Sequence, residues 1–155
     1  MTKEQIKEYT LRITQANRSE MIIIIYDMIL DDIKEAKSAI NHDEYKKACS
    51  HITRCIAHLI NALDFSYPIS LNYVQIYLYL NRTTSMALIK NDPALLDEVA
   101  YRIETLRESF NEVCRQDKSS AMMENTQTVY AGLTYGKTAL NESLNDQGAL
   151  RGFRV

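Results

Sequence analysis

The chain has 155 residues, 46% hydrophobic and 25% charged, the composition of a globular protein long enough to bury a core. Eighteen basic residues against twenty acidic ones leave a net charge of −2, neither the basic footprint of a nucleic-acid binder nor a polybasic membrane patch. Cys49, Cys55 and Cys114 are odd in number and show no paired spacing, so a disulfide framework is not expected and a reducing cytoplasm is.

The first residues, MTKEQIKEYT, lack the apolar core and cleavage site of a signal peptide. Residues 1–17 carry Ile6, Tyr9, Leu11 and Ile13, too few for an independent helix but enough to lie across an apolar groove as a lid. Asn17 with Glu20 has capping-box spacing and opens a predicted helix over 18–41. Within it, nine of the ten residues from Met21 to Leu30 are apolar or aromatic, and only Asp27 interrupts. The run is far short of the roughly 20 residues that span a bilayer, and its β-branched residues taken alone would suit a strand. The stripe Ile22, Ile25, Ile29, Ile33, Ala36 and Ile40 continues at helical spacing past any strand, so the segment reads as a helix. Asp31, Asp32 and Glu35 read as a solvated charge run on it.

Asn41, His42 and Asp43 form a polar turn into a second helix over 43–64, whose stripe is Tyr45, Ala48, Ile52, Ile56, Leu59 and Leu63. His51, Cys55 and His58 lie on one side of it at i, i+4 and i+7, a spacing that suits zinc. With no fourth ligand nearby they read as boundary positions beside the core, and neither a metal nor another cofactor is expected. Pro68 precedes a third helix over 70–90, in which seven of the eight residues Tyr73–Leu80 are apolar or aromatic. Asp92 and Pro93 open a fourth over 93–116, with the stripe Leu96, Val99, Ile103, Leu106, Phe110 and Val113.

The expected fold is all-α, an antiparallel up-down four-helix bundle over 18–118 with an N-terminal lid segment over 1–17. All four glycines fall in the last 24 residues, and the composition shifts near 117–120, so 119–155 forms a separate C-terminal extension. There Val129, Leu133, Leu140 and Leu144 share a helical face, while Gly132 and Gly136 each cost a helix about 1 kcal/mol relative to alanine. The extension reads as weakly helical or disordered, either seated in a groove of the body or free. Glu-x-x-His di-metal motifs are absent and the body has no glycine for a phosphate loop, so no enzyme is expected.

Two helices carry more apolar surface than one stripe requires: the first through Met21, Ile23, Ile24 and Met28, the third through Tyr73–Leu80. The surplus is a binding groove, a deeper core, or a surface covered by the ends of the chain. A seam between copies of a self-associating structural bundle is the alternative function.

Three segments resemble the flagellin export chaperone family, FliS. In YTLRITQANRSEMIIIIYD, Ile13, Ala16, Glu20, Tyr26 and Asp27 match in register and Tyr9 is displaced by one position. SLNYVQIYLYLNR is similar to a second family motif through Asn72, Ile76, Tyr77, Tyr79, Leu80 and Arg82, and IKNDPALLDEV with LRESF is similar to a third. The likeness covers about residues 9–116. Asn17-Arg18 stands where the family has Ser-Pro, and the 119–155 extension lies beyond the family core. The resemblance implies a cytoplasmic chaperone that binds the C-terminal segment of flagellin in apolar grooves, prevents its polymerisation and delivers it to the flagellar type III export gate, a further partner. With the surplus faces, it points to partner contacts at Tyr9, Ile13, Ala16, Met21, Ile24, Met28, Asn72, Tyr73, Ile76, Tyr77 and Leu80, and a homodimer is one alternative state without client. Nucleic acid and membrane insertion are not expected.

Overall fold

A computed structural model describes residues 3–123, which lie in the first of the two units, Met1–Glu124 and Asn125–Val155, into which the chain divides. The expectations for Val129 to Leu144 lie outside the described residues. Five helices and no strand occur among the described residues: α1 (Lys3–Gln15), α2 (Arg18–Ser38), α3 (His42–Asn61), α4 (Ile69–Lys90) and α5 (Leu95–Gln116). The all-α class is as expected. No described helix is long and apolar enough to cross a membrane.

Local chemistry sets the boundaries. The Asn17 side chain accepts from the Glu20 N–H at 2.8 Å and the Glu20 carboxylate accepts from the Asn17 N–H at 2.9 Å, so the capping box that opens α2 is complete. Asn41, expected within a turn, is the N-cap of α3: its extended backbone cannot continue α2, and its side chain accepts from the Glu44 N–H at 2.9 Å. α2 ends at Ser38, short of the expected 41, because the Ala39 backbone is already extended at φ −60°, ψ 130°, and Ile40 is left off the helix and 94% exposed instead of in the core stripe. Asn91 closes α4 in the left-handed region at φ 52°, ψ 42°, a conformation asparagine tolerates at little cost. The Asp92 carboxylate then accepts from the Ala94 N–H at 3.0 Å, and Pro93 lies in the turn before α5 instead of in its first turn.

α2 packs against α3 and α5, and α4 packs against the same two, so the long helices enclose one core; α1 lies on α2. Ile29 and Ile33 of α2, Ile52, Ile56 and Leu59 of α3, Leu80 and Ala87 of α4, and Leu96, Val99 and Ile103 of α5 are buried in it. An aromatic group ties three helices together: the Tyr26 ring meets Phe110 edge-on at 5.7 Å, Phe110 meets Tyr73 at 5.7 Å, and Tyr73 stacks on Tyr77 at 6.2 Å. The Tyr26 and Tyr77 hydroxyls hydrogen-bond each other at 2.6 Å inside the core. Burial pushes both phenols well above their ordinary range; the contact between them adds to the rise at Tyr26 and opposes it at Tyr77.

The hydroxyl pair makes a measurable demand. Tyr26→Phe or Tyr77→Phe alone strands a buried hydroxyl and should cost about 1–3 kcal/mol in urea unfolding. The double substitution removes both polar groups and should recover most of that loss. A double variant whose loss equals the sum of the singles would mean that the hydroxyls are satisfied independently.

Candidate functional site

The surplus face of α2 is covered, and the N-terminus of the chain covers it. Tyr9 of α1, Ala16 of the α1–α2 junction and Ile24 of α2 form a second buried cluster, flanked by Ile13, Met21 and Met28. All six belong to the expected partner-binding set. Ile24, one of the expected partner contacts, is only 3% exposed beneath α1.

The segment expected to be too poor in apolar residues for a helix is therefore helical, because docking supplies what local propensity lacks. Its rim is polar. The Tyr9 hydroxyl donates to Asp31 Oδ2 at 2.7 Å. The Arg12 guanidinium reaches Asp27 Oδ2 at 2.5 Å and lies over the Tyr9 ring, while Arg107 of α5 donates to Asp27 Oδ1 at 2.5 Å. The single polar interruption of the α2 run thus joins α1, α2 and α5. At the junction the Ser19 hydroxyl donates to Asp117 at 2.5 Å and the Met122 N–H donates to the Ala16 carbonyl at 3.0 Å. Hydrogen bonds from Ser19 and Ser119 hold the Asp117 carboxyl down at about 2.

A cavity of about 540 Å³ lies where α1, α2 and α3 meet, lined among others by Tyr9, Ile13, Met28, Asp32, Ala48 and His51. Asp32 is not part of a solvated charge run. It is buried and accepts a hydrogen bond from His51 Nδ1, and that bond, with Cys55 beside it, pushes the imidazole up to about 10 against the opposing effect of burial. His58, grouped with His51 and Cys55 by spacing, is exposed.

On α4 the expected residues divide. Tyr77 and Leu80 are core, with Tyr77 2% exposed; Tyr73 and Ile76 are half-buried against that core, and Asn72 is exposed. Tyr77 is thus a core residue, and truncating it tests the fold before it tests binding. Other apolar residues of α4 are exposed: among them Leu71, Leu78, Met86 and Ile89, the last 83% exposed, follow one another along the side opposite Tyr77 and Leu80. Phe65, Tyr67 and Ile69 extend the exposed apolar surface ahead of it. The interval from Leu71 to Leu78 to Ile89, seven and then eleven residues, is the sequence signal that marks this stripe.

The family model for flagellar protein FliS matches residues 2–117, well over half of the chain, and the chain belongs to that family. No curated protein matches it.

The polar rim makes the docking of α1 depend on pH. The Tyr9 phenol is raised above 10.0 by burial and by the Asp31 hydrogen bond, so its contribution is complete below pH 10.0 and is lost as pH rises through the higher folded value. Burial works to raise the Asp31 carboxyl, but the Tyr9 and Lys34 hydrogen bonds lower it below 3.8 overall. The Asp31 contribution is therefore present above pH 3.8 and lost as pH falls through the lowered value. In tyrosine ring NMR the Tyr9 signal of the folded chain should stay constant through pH 10.0 and titrate there only in urea. A folded-state Tyr9 midpoint at its unfolded value would mean that α1 is not docked in solution.

Proposed function

We propose that this member of the FliS family is a cytoplasmic flagellar export chaperone whose client is the C-terminal segment of flagellin. It keeps the client from polymerising and presents it to the type III export gate. Its working body is an up-down four-helix bundle over 18–118, and residues 1–17 are a lid. The observation that carries the reading is the apolar face of α2, Met21, Ile24 and Met28, roofed by a short helix that packs on α2 outside the ring of α2 to α5. Such a face suits an amphipathic client helix that folds as it binds. The thioethers of Met21 and Met28 adapt to an imperfect partner, and Ile24 gives it a fixed floor. In the bound state the client takes the place that Tyr9 and Ile13 hold. The exposed stripe of α4 offers a further stretch of the client a second apolar track without displacement of any described segment.

Exchange kinetics and a point substitution test the two surfaces separately. A flagellin C-terminal peptide should accelerate amide exchange across α1 and leave the α2–α5 core protected; protection of α1 that is unchanged at saturation would remove the lid from the reading. Leu78→Asp changes an exposed position, so thermal unfolding should barely move, while client affinity should fall by about 2 kcal/mol, roughly thirtyfold. If light scattering instead finds a dimer that the peptide leaves intact and Leu78→Asp dissociates, the stripe is a seam between copies and its role as a client track fails.

A further inference from the structure

Among the described residues Asp32 is the one buried charged side chain, 1% exposed, and it points from α2 to α3. Facing it are His51 and Cys55, one helical turn apart on α3, with Cys55 4% exposed. A carboxylate oxygen, an imidazole nitrogen and a thiol sulfur meet there with all three atoms within 4.8 Å of one another, and His51 Nδ1 stands 4.0 Å from Cys55 Sγ. Tetrahedral coordination at zinc bond lengths places such atoms about 3.3–3.7 Å apart, so small side-chain rotations bring this set around an ion. Spacing had paired His51 and Cys55 with His58, which is exposed; the third ligand comes from the neighbouring helix.

We propose that Asp32, His51 and Cys55 form a binding site for a zinc-like divalent transition ion, with the fourth coordination position opening into the cavity beneath α1. The donor set selects the ion. Calcium and magnesium take oxygen ligands, whereas zinc accepts carboxylate, imidazole and thiolate together. Asp32 and His51 both line the cavity, so water reaches the open position. Ligation needs a deprotonated thiol and an unprotonated ring nitrogen, so binding is coupled to proton release, and carboxylate and thiolate ligands together offset the charge of a divalent ion. The ion would cross-link α2 to α3 directly under the lid helix, whether or not the client is flagellin.

Cobalt(II) is the probe, added to the full chain after chelator treatment in a reductant without thiols. One equivalent should give tetrahedral visible bands and a thiolate-to-cobalt charge-transfer band in the near ultraviolet, with release of protons in weakly buffered solution. Cys55→Ser should abolish the charge-transfer band, and His51→Gln or Asp32→Asn should weaken cobalt binding at least tenfold. Cys49→Ser and Cys114→Ser should leave the spectrum unchanged, and circular dichroism checks that every variant keeps its fold. Absence of a charge-transfer band at saturating cobalt overturns the proposal and leaves Asp32 and His51 a structural pair. A band that survives Cys55→Ser, or is lost in Cys114→Ser, places the metal elsewhere and overturns it equally.

Discussion

A helix with nine apolar residues in a run of ten must find cover on nearly every side, and the architecture around α2 follows from that constraint. α3 and α5 take the sides bearing Ile29 and Ile33, while α1 takes the side bearing Ile24. Asp27, the one polar residue in the run, is placed where two arginines from different helices reach its two oxygens. A carboxylate in an apolar run is costly unless it is paired, and here the pairing also fixes where α1 and α5 stand relative to α2.

Connectivity decides what covers the third side. Only Ala16 and Asn17 separate α1 from α2, so α1 turns back along its neighbour and its contacts step away from the junction: Arg12 to Asp27, then Tyr9 to Asp31. The capping box holds the turn, and both junction residues are buried. A helix of thirteen residues has little stability of its own. What holds it is a small apolar patch rimmed by hydrogen bonds, most of them open to solvent on one side. Those are the attributes of a cover that a better-fitting helix can replace, because water satisfies the rim groups once α1 leaves.

The helical class and the places of α2 to α5 were legible because their apolar periodicity is long and, at α2, the cap is explicit; Asn17 with Glu20 and the Leu96, Val99, Ile103 stripe needed no tertiary information. What escaped was tertiary in origin. The helical state of residues 3–15 depends on a surface that another segment supplies. Asp32 looks like its neighbour Asp31 in the sequence, yet it faces His51 and is buried, because a shift of one residue turns a side chain about 100° around the helix. The candidate binding residues were recognisable as a set. Their division into covered, core and exposed was not, since Tyr77 and Leu78 are consecutive and yet one is buried and the other exposed.

The two overdressed helices share one sequence signal and resolve it differently. α2 lies next in the chain to a segment able to fold back, so its surplus is sheltered. α4 is reached through the stretch from Ala62 to Pro68, which holds Phe65 and Tyr67 exposed, and it leads into α5, whose apolar side is already committed to the core. No described helix packs over Leu71, Leu78 and Ile89. One apolar face is thus covered by α1 and the other stands open. If both serve a single client, the open face can make first contact while the covered one supplies selectivity, since only a segment that outcompetes Tyr9 and Ile13 gains the second site. The coupling is arithmetic: a cover in place nine-tenths of the time lowers apparent affinity about tenfold for every ligand of that face. Under the proposed function, ligands that engage α4 alone would escape that penalty, so weak contact with α4 and tight contact with both faces would be separate states.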